Sequence, residues 1–300
     1  MIQTEIISST ISLITFSFAL FITAIGSYND LRTHEVPDYL SYGGLFLGFF
    51  IHLVLSVLLS DVTIIFDAIF GFFVSVIIAL FMFYTGQWGG GDSKLLIALG
   101  TIMGLPFSNF SFTISSFFIQ FLINLIFIGA AYGSIYVLFL IIKNKKNFKF
   151  ALKKHMQEKK IKYTRIGILF FSFVIFLLSF AFSEEQILLI SISILLYLGF
   201  YLLIATKCVE ETCMLKSINP AKLTEGDWIA EDIFIGKKYI CGPKDLGIQK
   251  KQIELLLNLQ KQKKISKILI KEGIPFVPSF FLSLLFTYFF GNVLIYFISI

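Results

Sequence analysis

Two carboxylates in this sequence sit where a carboxylate needs a chemical reason. Asp30 closes an apolar run at IGSYND, and Asp92 closes another inside GQWGGGDSKLL. An ionisable group placed in a bilayer costs roughly 2.5–3.5 kcal/mol at mid-depth by insertion scales, so it points to function. Two such groups at equal depth could face each other, and a facing pair cannot both ionise easily. One then keeps a proton, and the pair can act as acid and base together. In peptide hydrolysis the ionised member would take a proton from water while the protonated member polarises the scissile carbonyl. Separation along the chain says nothing about distance; the shared depth is what makes pairing plausible. Gly89, Gly90 and Gly91 precede Asp92 without a Cβ, which permits unusual backbone angles and close approach of a substrate strand. Non-helical backbone at membrane depth persists only where it is buried in protein or lines a cavity. Arg32, Glu35, Asp38 and Lys94 flank the pair. They could tune it or attract a basic peptide, or they could be solvated loop charges and membrane-edge anchors.

The elements that must position these groups follow from composition. Of 300 residues 57% are hydrophobic and only 15% charged, whereas soluble domains run near 45–50% and about 25%. The 37 Phe residues suit lipid-facing helices. The fold expected is an all-α polytopic membrane protein. Uncharged runs fall at 6–29, 39–60, 68–91, 95–142, 166–183, 186–206 and 273–300. About 20 apolar residues make one crossing, so 95–142 is too long for one helix. It breaks at Gly104-Leu105-Pro106 and Ser108-Asn109, giving about eight crossings. The first run has Glu5 ahead of it and no basic stretch, so it reads as a span and not as a cleaved signal peptide.

Eight alternating crossings place all 25 Lys and Arg in the loops of one side. Glu5, Asp61, Asp67, Glu184 and Glu185 fall on the other. The basic side is then the cytoplasm, and both termini lie outside. The net charge of +6 is explained by this topology and by anionic headgroups; no nucleic-acid partner is expected. The organisation reads as a catalytic membrane core of five spans (1–142), a basic cytoplasmic loop that could lie on the surface as a helix (143–165), and two further spans (166–206). A cytoplasmic α/β module (207–272) and a last transmembrane helix (273–300) follow. In the module, DWIAEDIFI, KYICG and SKILIKEGI read as strands and KKQIELLLNLQKQ as an amphipathic helix. Cys208, Cys213 and Cys241 form no CxxC pair, so neither a zinc module nor a disulfide framework is expected.

At these residues the chain resembles a known family. Gly89-Gly90-Gly91-Asp92, followed by Ser93-Lys94-Leu95, looks like the GxGD signature of the type IV prepilin and preflagellin peptidases. Asp30, with Arg32 and Val36-Pro37-Asp38-Tyr39-Leu40, is similar to that family's first aspartate block, although Asp38 stands where Asn is common. The resemblance covers mainly residues 20–105. NPAKLTEGDWIAEDI (219–233) and KEGIPFVPSF (271–280) resemble the carboxy-terminal extension of archaeal members. The resemblance implies a membrane aspartic endopeptidase that removes the short basic leader of prepilin or preflagellin precursors at the cytoplasmic face. Asp30 and Asp92 would be its dyad, with no metal and no cofactor. The amino-terminal zinc domain of many bacterial members is missing from this sequence, so no methyltransferase activity is expected.

Other polar residues have plainer readings. His52 has no second ligand nearby and reads as a helix-packing hydrogen bond, as do Gln120 and Asn124. Asp227, Glu231 and Asp232 fit no metal-loop spacing. Two alternatives remain at this point. A presenilin-like or signal-peptide-peptidase-like enzyme also uses an aspartate pair, but there the first aspartate follows Tyr deep in a helix. A non-enzymatic transporter would relay protons through the pair, yet the sequence has one broken region and no repeat.

Overall fold

A computed structural model of the chain describes residues 2–106, 116–236 and 238–294, with side chains from residue 11 onward. The helices run α1 (Ile2–Thr33), α2 (Asp38–Leu58), α3 (Thr63–Tyr84), α4 (Gly90–Met103), α5 (Phe117–Lys143), α6 (Lys145–Gln157), α7 (Lys159–Leu178) and α8 (Gln186–Val209). A π-turn (Glu210–Met214) leads into β1 (Leu215–Ile218), β2 (Trp228–Ile229), β3 (Ile233–Ile235) and β4 (Lys238–Cys241). Then come α9 (Lys250–Lys261), β5 (Ile268–Lys271) and α10 (Val277–Phe290). The protein is a polytopic, predominantly helical membrane protein with one small α/β module.

Six helices, α1, α2, α3, α5, α7 and α8, are long and apolar enough to cross a membrane. The other two expected crossings are shorter. α4 and α10 have 14 residues each, which at about 1.5 Å per residue is well short of a hydrocarbon core of about 30 Å; residues 295–300 of the last expected crossing lie outside the described residues. Their burial explains how they can be short. Leu95, Leu96, Ala98, Leu99 and Ile102 of α4 are fully buried, as are Val277, Phe280 and Leu284 of α10. α4 packs between α2 and α3 and touches α1, while α10 lies against α1 and α5. A helix wrapped by protein need not match the bilayer, whereas the outer helices expose rows of Phe, Leu and Ile. α4 ends at Gly104, inside the expected break; Ser108 and Asn109 lie outside the described residues.

α6, α7 and α8 pack together beside this core. The segment 143–165, read as a basic loop or surface helix, is α6 with the opening turns of α7, which begins at Lys159 and not at 166. The imidazole of His155 on α6 is clamped between Glu158 and Glu211, each at 2.8 Å. The module is built on an antiparallel sheet of order β1-β5-β2 and a β3-β4 hairpin. Leu256 and Leu259 of the amphipathic α9 are buried with Ile229, Ile240, Ile268 and Ile270 in a separate small core. The expected helix and the strands in KYICG and SKILIKEGI are present; DWIAEDIFI, expected as one strand, divides into β2 and β3 in different sheets, and β1 is an additional strand.

Candidate active site

Asp30 lies in the last turn of α1 and Asp92 in the first turn of α4. The two carboxyls are close enough to feel each other's charge. Asp30 is 5% exposed, and Asp92 is partly exposed. Oδ2 of Asp92 accepts the Gly89 N–H at 3.2 Å, so the start of α4 closes on its own third residue. Oδ2 of Asp30 accepts the Val277 N–H at 2.9 Å. That donor belongs to the first turn of α10, 247 positions along the chain, where helical N–H groups have no partner of their own.

The loop after Asp30 folds back onto the glycines before Asp92. A Cβ on Gly91 would meet Val36 at 3.1–3.2 Å, tighter than most real contacts. Gly91 therefore allows the two sequence blocks to touch. None of Gly89, Gly90 and Gly91 has a positive φ, so close approach, and not unusual backbone angle, is what the absence of a side chain provides here. Lys94 bridges the same blocks from outside, with Nζ 2.6 Å from Asp38 Oδ1 and 5.5 Å from the Tyr42 ring centre.

The flanking charges divide. Arg32 points away from the pair, donating to Tyr28 Oη at 2.9 Å. Glu35 is exposed and faces the module, within electrostatic reach of Asp227. His34, at φ 57°, lies between Asp30 and the module, with Nε2 3.9 Å from Glu272. Burial raises the Asp227 carboxyl above its ordinary range, and Glu35 and Glu272 add to that despite hydrogen bonds from Thr224.

Several groups near the pair were not singled out as site residues in the sequence, although 271–280 stood out there as resembling the extension of archaeal family members. The strap 272–276 runs from β5 into α10 and ends at the Val277 N–H that Asp30 accepts. Glu272 holds it down, its N–H donating to Met214 at 2.8 Å and its carboxylate meeting Lys216 at 3.0 Å. Phe276 packs against Trp88, just before the glycines, with ring centres 5.8 Å apart and planes inclined at 39°. Tyr132 of α5 also lies within electrostatic reach of Asp30. His52 hydrogen-bonds Gly48 at 2.9 Å. Asn124 ties α5 to α10 through Thr287 at 2.8 Å and Gly291 at 2.7 Å. Among the described residues no group of three His, Cys, Asp or Glu could hold a metal ion.

Two carboxyls within reach of each other's charge can share one proton. Residues 14–138 match the model of the type IV leader peptidase family. That stretch includes Asp30, Asp92 and both sequence blocks. Over 79 residues the chain is 35% identical to the preflagellin peptidase of Methanococcus maripaludis, covering 26% of this chain and 34% of that one. It is 34% identical over 79 residues to the preflagellin peptidase of Methanocaldococcus jannaschii, covering 26% and 33%. The match spans about a third of the length of these curated relatives. No solved structure matches the chain. These family matches favour the leader-peptidase reading over the presenilin-like and transporter alternatives.

Proposed function

We propose that the chain is a membrane aspartic endopeptidase that cuts the basic leader from prepilin or preflagellin precursors, with Asp30 and Asp92 as its catalytic pair. The observation that carries this is the packing of the two aspartate blocks, Val36 against Gly91, which leaves the two carboxyls, each at a helix end, within reach of each other's charge. In the reaction one carboxylate takes a proton from water, and the hydroxide formed attacks the scissile carbonyl carbon. The other, protonated, hydrogen-bonds the carbonyl oxygen and then passes its proton to the leaving amine as the C–N bond breaks. The site faces the cytoplasm, as the one-sided Lys and Arg argue, and both termini lie outside. Substrate approaches along the face where exposed Glu35 puts negative charge, which suits a basic leader. The bilayer supplies the other partner, its anionic headgroups meeting the lysines of α6.

The test is leader removal in isolated membranes, offering preflagellin and prepilin precursors to the wild-type protein. Cleavage just ahead of the hydrophobic stretch is expected, and the preferred precursor identifies the pathway served. No cleavage of any precursor by well-inserted protein would overturn the proposal.

A further inference from the structure

Tyr132 lies on α5 within GAAYG, one turn after Gly129, which Phe276 of the strap approaches closely. Its hydroxyl oxygen is buried and has no hydrogen-bond partner among the described residues. Its ring neighbours Tyr136 at 6.2 Å between centres. The charged and titratable groups around it are Asp30 from α1 and Tyr136, itself within reach of Asp30 and Glu272. His34 and Asp92 border Asp30 on its other sides.

A buried hydroxyl left unpaired costs about 1–3 kcal/mol, and such a group in a folded protein needs a reason. Phenylalanine would fill the same volume without that cost, and this chain uses 37 of them. A phenol one turn from the Gly129 that packs on Phe276, next to the Val277 bonded to Asp30, and within electrostatic reach of that carboxyl, has its donor unspent. It is a donor kept for a group that arrives with the substrate.

We propose that Tyr132 is a third catalytic group, whose O–H donates a hydrogen bond to the scissile carbonyl oxygen as that oxygen gains negative charge. The inference rests on the dyad reading above. When the hydroxide formed by the carboxylate adds to the carbonyl carbon, the C=O π electrons move to oxygen. Tyr132 and the protonated carboxyl then share that oxygen as donors. Tyr132 keeps its proton throughout; collapse of the intermediate breaks the C–N bond, and the amine takes its proton from the carboxyl. The phenol adds stabilisation only in the transition state and its intermediate, which is where it raises kcat.

The experiment compares Tyr132→Phe with wild type, Tyr136→Phe, Asp30→Asn and Asp92→Asn, measuring kcat, KM and thermal stability in detergent. Loss of one such donor predicts a fall in kcat of about 10²-fold, with KM within about threefold. Stability should hold or rise, because the orphan hydroxyl is gone. Tyr136→Phe should keep kcat within about threefold of wild type. Wild-type kcat in Tyr132→Phe beside two inactive aspartate variants would overturn the role of the tyrosine alone. So would a fall in kcat accompanied by lost stability, since that marks a packing residue. Aspartate variants that cleave normally would instead overturn the dyad reading.

Discussion

At the scale of single residues, the site depends on contacts with little slack. Gly91 touches Val36 with no room for a methyl group. Gly91→Ala should therefore push the Val36 loop outward, with an overpacking cost of about 1–3 kcal/mol. Its cleavage rate should drop, and adding Val36→Ala should restore part of it in a double-variant cycle. Independent, multiplying effects would show that the two blocks are not coupled through this contact. The Lys94–Asp38 pair is a different case, with side chains 39% and 64% exposed. Lys94→Gln should cost no more than about 1 kcal/mol of stability. Asp30, Asp92 and the glycines were legible in the sequence because a carboxylate or a glycine run at the end of an apolar stretch is conspicuous. Tyr132 was not, since a tyrosine in an apolar helix looks like any membrane-facing aromatic. The N–H of Val277 could not be read either: a backbone donor leaves no trace in residue type.

At the scale of elements, α10 is the piece that joins module to site. Its first turn binds Asp30, and its far end is fixed by Asn124, which also accepts the Val293 N–H at 2.9 Å. Asn124→Ala leaves these partners without it, and thermal unfolding in detergent should show a loss of about 1–2 kcal/mol. An unchanged transition would mean α10 is held by packing alone. Asp227 gives a pH-dependent counterpart. A carboxyl raised in the folded state weakens folding as pH climbs from its ordinary value through the raised one, and the penalty is complete above that. Asp227→Asn removes the penalty, so hydrogen exchange at Trp228 and Ile229 should slow at pH 7, with the difference from wild type fading towards pH 4. The long helices were readable because uncharged runs must match the bilayer. The start of α7 was not, because Lys159–Arg165 is polar yet continues the same helix. β1 was hidden by its length of four residues with three exposed, too short for alternation to register.

At the scale of the whole molecule, α1, α2, α3 and α5 pack around the two short helices α4 and α10, which carry or hold the proposed catalytic pair. The proposed entry of substrate from the cytoplasm rests on the charge partition: in a chain with its native cysteines replaced, single cysteines at Asp61 and Glu184 should react with an impermeant thiol reagent added outside. One at Glu225 should react only after the membrane is opened, and the reverse pattern would invert the topology. Two carboxyls that act as one catalytic unit are strongly non-additive in their effects on rate. The most direct measurement is the rate of leader removal by Asp30→Asn, Asp92→Asn and the double variant, each matched for insertion. All three should fall to the same residual rate, at least about 10³-fold below wild type. Appreciable cleavage by either single variant, or a double variant reduced by the product of the two single effects, would contradict a shared catalytic pair.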